Sequence, residues 1–597
     1  MDKRTLTTML LCAALLFGWM AISPKLFPRP APPPGKPAPT APAEPPAAAR
    51  QQQPPAQPAA IAPATAPPSA TEPPVELQEN TLGNSRVTLQ LSNEGATVTS
   101  AHLNQYFEDT SSKQPLKLLT PFATGHRSLA MQVEGIDLTG QRFKVVSADK
   151  RRVQYQTTLP TGLVLTKTIE LPPDSYHAVV TVSLSNGTEQ PVQAGYWITS
   201  AAGIMPELAP WQKNDGKTLK QETFRDVQGA IGARLTNGSD KIIRKAPGKV
   251  QEKPEVYRDA TVTWVSVVNQ YFSAVLVPRE KGFVIGGKLS AVGTNNIAGS
   301  LETAREAIQP GQSVEHSFMF FVGPNSDEVK TNPDYAVFAN LHSLAWPAPI
   351  SGFFLWILRT FYGFVRNYGV AIMLLTLVVR VALHPLSRKS QKSMGHMQKL
   401  GPRMKELQAK YKEDKKKLQE ETMKLYREHG VNPMSGCLPL ILQLPILIGL
   451  YGALRSDIAM RHAPFLLWIK DLSQPDALMM LPASIPWAVT LNVLPILMIV
   501  GMIVQQLITP KPTDPQSEQS QKMMMWMMPA MFFFMFYHMP SGLVLYFLTS
   551  TGLGILESNL IRKHMGKLEL APAKPKSKKK QTWLERAAKA RAAKLRR

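Results

Sequence analysis

The residue best placed to do chemistry is an arginine inside an apolar run. Arg380 stands in Val370-Ala371-Ile372-Met373-Leu374-Leu375-Thr376-Leu377-Val378-Val379-Arg380-Val381-Ala382-Leu383. An arginine at the centre of a membrane helix costs about 2.5–3.5 kcal/mol on insertion scales, so its presence needs a reason. Two readings are open. Arg380 precedes Pro385 by five residues, about 7.5 Å of helix, so its side chain can snorkel to the cytoplasmic headgroups. Alternatively its guanidinium faces a wet cavity among several helices. Thr376 lies one turn away on the same face, and Gln443 sits between Pro439 and Pro445 in the next apolar run.

Other chemistries are poorly represented. The apolar runs 368–385, 436–454, 489–508 and 523–539 contain no Asp or Glu, and 542–560 contains only Glu557. Proton- or cation-coupled transport usually needs a membrane carboxylate, which counts against a solute transporter. Run 523–539 holds eight methionines with Phe532, Phe533, Phe534 and Phe536, a polarizable surface suited to varied apolar partners or to ordinary packing. At 17 residues it spans about 25 Å, so local thinning of the bilayer is expected. No metal-ligand spacing, nucleophile elbow or glycine-rich phosphate loop is present, and no cofactor is expected.

The elements that must position these residues follow from charge and hydropathy. The chain has 597 residues, 67 Lys+Arg against 43 Asp+Glu, and a net charge of +24. Lys3 and Arg4 precede an 18-residue apolar run, 5–22, which predicts an uncleaved transmembrane anchor (domain 1–23) with a cytoplasmic N-terminus. Residues 24–74 hold 19 prolines and predict a disordered Pro/Ala-rich linker. Cys12 and Cys437 both lie in apolar runs, so no disulfide framework is expected.

From 75 to 345 short alternating runs punctuated by Gly and Pro predict an all-β sandwich or barrel. Strands are expected at 86–91, 98–103, 153–159, 163–171, 177–184, within 260–277 and at 317–322. Residues 335–345 are expected to be helical. Trp197, Trp211 and Trp264 could line a groove, although such residues more often belong to a core or its rim. Residues 346–366 read as an interfacial amphipathic helix, with Phe353, Phe354, Trp356 and Phe361 beside Arg359.

Residues 367–561 are expected to carry five transmembrane helices, making six with the anchor. Segment 387–433 has 13 Lys+Arg and six Asp+Glu, and reads as a cytoplasmic helical hairpin interrupted near Gly401-Pro402 and Glu413-Asp414. Tail 562–597 has 14 Lys+Arg and two Asp+Glu, whereas loop 455–491 has three of each sign. The positive-inside rule puts the hairpin and tail in the cytoplasm and the β domain outside. The tail is suited to anionic lipid or to RNA phosphates.

Several ordered motifs then resemble one family. Thr376 to Arg380 followed by His384-Pro385-Leu386, Val431-Asn432-Pro433-Met434-Ser435-Gly436-Cys437-Leu438-Pro439, and Gln443-Leu444-Pro445 resemble successive transmembrane segments of the YidC/Oxa/Alb insertases. So do Ala463-Pro464-Phe465, Trp468-Ile469 and Asp471-Leu472-Ser473, and Pro540-Ser541-Gly542-Leu543-Val544-Leu545-Tyr546.

The resemblance implies a multidomain membrane protein of the bacterial inner membrane. It would have six transmembrane α-helices, a five-helix insertase core plus the N-terminal anchor, and a large periplasmic all-β super-sandwich. It implies a non-enzymatic insertase and chaperone for nascent membrane proteins, acting alone or with the Sec translocon. The ribosome would be met through the basic tail and hairpin, and anionic lipid is a further partner. A hydrophilic substrate groove would contain Arg380, Thr376, Gln443, Tyr546 and Phe547, the last in place of a tyrosine frequent in relatives. The apolar part of a substrate would slide along Leu447 and Met535. Two other classes remain open on residues alone, a polytopic solute transporter and an envelope scaffold acting through the β domain.

Overall fold

A computed structural model describes residues 75–108, 113–120, 126–206, 227–258, 261–293, 295–342, 348–431, 438–481, 490–508 and 515–565. The expected anchor and linker, Trp211, residues 432–437 and the tail beyond 565 lie outside the described residues.

Strict alternation generates the β region. Strand His177–Asn186 buries every second residue, and Leu163–Glu170 turns Leu163, Leu165, Lys167 and Ile169 inward, as the two-residue period of a strand dictates. These strands belong to a nine-stranded antiparallel sheet. Its centre is Ser313–Pro324, paired with His177–Asn186 on one side and Phe272–Pro278 on the other. A six-stranded sheet built around Val284–Val292, Asn296–Thr303 and Tyr196–Ala202 packs against its Thr261–Val268 strand. A four-stranded sheet of residues 79–119 completes the region. The large β-rich region anticipated from the sequence is therefore present.

The central strands of the six-stranded sheet were not among those expected. Val284–Val292 carries Gly286 and Gly287, and Asn296–Thr303 carries Gly299, which dilutes the alternating signal. Packing explains the glycines. A Cβ on Gly287 would stand 3.2 Å from Val265 Cγ1, and one on Gly299 would stand 3.4 Å from Val265 Cβ. The small residues let the two sheets approach.

Trp264 is a core residue, 2% exposed, and its Nε1 donates to the Val337 carbonyl at 3.0 Å. Its ring lies over Gly232, where a Cβ would sit 2.1 Å from Cε2. Gly232→Ala should therefore displace the indole and destabilise the β region by about 1–3 kcal/mol, as overpacking does. Thermal unfolding of the purified protein followed by tryptophan fluorescence would read this loss, and an unchanged midpoint would refute the contact. Residues 335–345 were expected to be helical, and over their described part they are, as a tighter 3-10 run, Pro333–His342. The reason is side-chain docking: Tyr335 and Phe338 both pack on Phe321, with ring centroids 4.9 and 5.0 Å away.

Among the described residues beyond 347, the α-helices are α1 (Ala348–Val365), α2 (Tyr368–Lys399), α3 (Gly401–Lys410), α4 (Lys415–Glu428), α5 (Leu438–Ser456), α6 (Val493–Ile508), α7 (Pro515–Phe536) and α8 (Ser541–Met565), with a short two-stranded ladder of Met479–Met480 and Thr490–Leu491 between α5 and α6. Helix α1 packs on α5 through two glycines. A Cβ on Gly449 would meet Ile350 Cγ2 at 2.6 Å, and one on Gly452 would meet Ser351 Oγ at 2.7 Å. Small residues at this spacing permit close helix approach. Phe354, Ile357 and Leu358 are buried on that face, while Phe353, Trp356 and Phe364 are exposed.

The apolar run around Arg380 ends at Pro385 as expected, and α2 continues past it into the polar segment for a total of 32 residues. An internal proline removes one helical hydrogen bond and crowds the preceding turn, and neighbouring helices make such losses tolerable in membrane helices. The hairpin follows as α3 and α4. The breaks fall at Leu400, before Gly401-Pro402, and at 411–414, where Asp414 caps α4 by accepting from the Lys417 amide. Among the described residues, segments 368–397 and 541–561 are long and apolar enough to cross a membrane. Segments 349–365, 493–508 and 526–536 are shorter apolar helices.

Candidate functional site

Two helix faces build the site. On α2, Thr376, Arg380 and His384 recur every four residues and share one face. On α8, Tyr546, Ser550, Gly554 and Glu557 are spaced by four, four and three and share another. The faces meet, and Arg380 is turned onto α8 rather than lying free toward the helix end. Its Nε and Nη2 donate to Ser550 Oγ at 3.0 and 2.8 Å. Its Nη1 lies 3.7 Å from Glu557 Oε2. Glu557 Oε1 in turn lies 2.7 Å from His384 Nδ1. Gly554 makes the approach possible, since a Cβ there would stand 3.1 Å from both Arg380 Nη2 and Gln505 Nε2 of α6.

The other anticipated residues divide into groups. Gln443 of α5 donates from Nε2 to the Tyr546 hydroxyl at 2.6 Å, and Tyr546 is buried. Phe547 is half-buried and packs edge-on against Phe536, with centroids 4.5 Å apart. Leu447 and Met535 are partly buried against the same apolar cluster. Thr376 behaves differently. It is fully buried, and its hydroxyl donates back to the Ile372 carbonyl of its own helix at 2.6 Å. It therefore shares a face with Arg380 without bonding to it.

Ser550, Gly554, Glu557 and His384 were not anticipated as site residues. A signal was available in the four-four-three spacing on α8, opposite the four-four spacing on α2. Glu557 had registered only as an exception to the scarcity of membrane carboxylates. The arrangement offers a partly exposed guanidinium, a hydroxyl and a carboxylate–imidazole pair lined against apolar helices. That is chemistry for binding anions. Among the described residues no group of three or more His, Cys, Asp or Glu side chains is placed to hold a metal ion.

A concavity of about 210 Å³ lies on the six-stranded sheet. Trp197 lines it with His126, Arg127 and Lys288, whereas Trp264 belongs to the core.

Comparison with known proteins covers nearly all of the described chain. Residues 80–357 match the family model described as the YidC periplasmic domain, and residues 360–568 match the 60Kd inner membrane protein model. A membrane protein insertase YidC from Oleidesulfovibrio alaskensis is 30% identical over 93% of this chain and 98% of its own length. Its counterpart from Vibrio cholerae is 29% identical over 82% and 86%. Among solved structures, an active YidC insertase with its first transmembrane domain resolved is 21% identical over 81% of this chain and 93% of that one, at a TM-score of 0.34. With its β region and helical region each matched by the corresponding family model, and a relative aligned almost end to end, the chain belongs to the YidC family of membrane protein insertases.

Proposed function

We propose that this chain inserts nascent membrane proteins into the bacterial inner membrane and assists their folding, alone or with the Sec translocon. The observation that carries the mechanism is Arg380, held by Ser550 between α2 and α8 and partly open to solvent. Six transmembrane helices are assigned: the anchor, α2, α5, α6, α7 and α8. Both termini and the α3–α4 hairpin are cytoplasmic, and the β region is periplasmic. The hairpin and basic tail would face the ribosome and anionic lipid.

An acidic residue in a client's translocated tail enters between the helices and meets Arg380, where an apolar surround strengthens the attraction. Gln443 and Tyr546 supply further polar contacts beside it, and Phe547 forms the apolar wall. The client's hydrophobic segment moves along Leu447 and Met535 into lipid, and its transfer out of water supplies the driving force.

Arg380→Ala should slow the insertion of acid-tailed clients into liposomes by about 10- to 100-fold, corresponding to about 1.5–3 kcal/mol for a charge-assisted hydrogen bond. A client with a neutral tail should be affected far less. Equal rates of acid-tailed insertion by wild type and variant would remove Arg380 from the mechanism.

A further inference from the structure

The guanidinium of Arg380 already has a carboxylate beside it, and the geometry of that pair is uneven. Glu557 sits 3.7 Å from Arg380 Nη1 but 2.7 Å from His384 Nδ1. A charge-assisted N–H···O bond is about 2.7–2.9 Å long, so the arginine contact is loose and the histidine contact is tight. The other two nitrogens of the arginine fork, Nε and Nη2, converge on one hydroxyl, Ser550 Oγ. Among the described residues no carboxylate grips the fork with two parallel bonds, the arrangement that makes arginine–carboxylate pairs strong.

We propose that Glu557 is a resident counter-ion for Arg380, displaced when the acidic residue of a client arrives. This rests on the reading of Arg380 as the client's anion-binding group. With the site empty, Glu557 offsets the cost of a charged guanidinium among apolar helices. When a client carboxylate takes the fork bidentately, Glu557 stays paired with His384 and is not stranded. The exchange trades a loose ion pair for a close one, and a neutral tail has nothing to trade. Glu557 therefore competes with the incoming carboxylate and sets a threshold that suppresses weak, single-acid clients. Gly554 leaves the space in which the guanidinium can shift between partners.

The test uses full-length purified protein in liposomes. One client carries a single Asp in its translocated tail, and a matched client carries none. Glu557→Gln keeps the shape and removes the competing charge. It should speed insertion of the single-Asp client about three- to tenfold relative to the neutral client, and an unchanged unfolding midpoint in detergent reports an intact fold. The gain should vanish in the Arg380→Ala background. A wild-type rate for Glu557→Gln on the single-Asp client, with Arg380→Ala slow, would overturn the counter-ion role and leave the Arg380 reading standing. Slowed insertion of both clients by Glu557→Gln would make Glu557 a structural support and equally overturn it. An unimpaired Arg380→Ala would sink both.

Discussion

Raising the pH from 7 toward 9.5 should stabilise the β region by about 3 kcal/mol, and Lys167→Met should abolish that gain. Lys167 occupies an inward position of strand Leu163–Glu170 and is fully buried. Its Nζ donates to the Ala96 carbonyl at 2.8 Å and to the Leu129 carbonyl. Both acceptors belong to residues with positive φ, 49° and 62°, so the lysine ties down two turns in a conformation that L-residues seldom adopt.

Burial without a carboxylate pushes the Lys167 ammonium down to about 7, whereas an unfolded lysine titrates near 10.4. Between these limits the unfolded chain binds a proton that the folded chain does not, so stability rises with pH across that window. Below about 7 both states are protonated, the cost of burying the charge is fully present, and stability no longer varies with this group. The slope inside the window is about 1.4 kcal/mol per pH unit. Methionine fills similar space and cannot titrate, but it leaves two carbonyls unpaired at about 1–3 kcal/mol each. The variant should thus roughly match wild type near pH 6.5 and fall well below it at pH 9.5. Hydrogen exchange of strand Leu163–Glu170 in the full-length protein, corrected for intrinsic rates, measures this. Parallel pH profiles for the two proteins would contradict it.

Arg359→Ala should destabilise the seam between the β region and the helices by about 3 kcal/mol. Arg359 of α1 holds Asp457 with two bonds, from Nε at 3.2 Å and Nη2 at 3.0 Å. Its Nη1 pairs with Asp327, at the start of the short Asp327–Thr331 helix that follows the last strand. The Asp457 side chain is 1% exposed and that of Arg359 is 36% exposed. Removing one partner of such a pair strands a buried charge, which costs about 3–5 kcal/mol when both are enclosed, and the partial exposure here points to the lower end. Nearby, Gln270 Nε2 donates to the Arg455 carbonyl at 3.2 Å and Arg461 Nη1 to the Phe107 carbonyl at 2.8 Å, so the seam should loosen rather than separate. The double variant Arg359→Ala/Asp457→Asn should regain more than half of the loss, because the stranded carboxylate is gone. Limited proteolysis near residue 343 and thermal unfolding in detergent would follow it. A double variant no better than the single one would show that the ion pair is not the source.

Much of the architecture was legible because it depends on local patterns. A two-residue period marks Leu163–Glu170 and His177–Asn186, and long apolar runs mark α2 and α8, whatever they later touch. Strands Val284–Val292 and Asn296–Thr303 were illegible for the opposite reason. Their glycines answer to Val265 on another sheet, a demand that appears only once the sheets are stacked. The same divide runs through the site. Arg380 stands out in sequence because charge is rare in an apolar run, and the ordered motifs around it were enough to point to the family.

The partners of Arg380 could not be read in the same way. Ser550 lies 170 residues further along the chain, and its meeting with Arg380 depends on how α2 and α8 are rotated against each other. Lys167 illustrates the same limit inside the β region. Alternation alone turns it inward, but only the folded turns at Ala96 and Leu129 give its ammonium two acceptors. Sequence by itself determined the strongly periodic strands, the membrane-like segments, the charge distribution and the family, since hydropathy and period are properties of neighbouring residues. Tertiary structure alone decided which buried charges are paired, because a pair needs two side chains within about 4 Å, and distance along the chain carries no information about that.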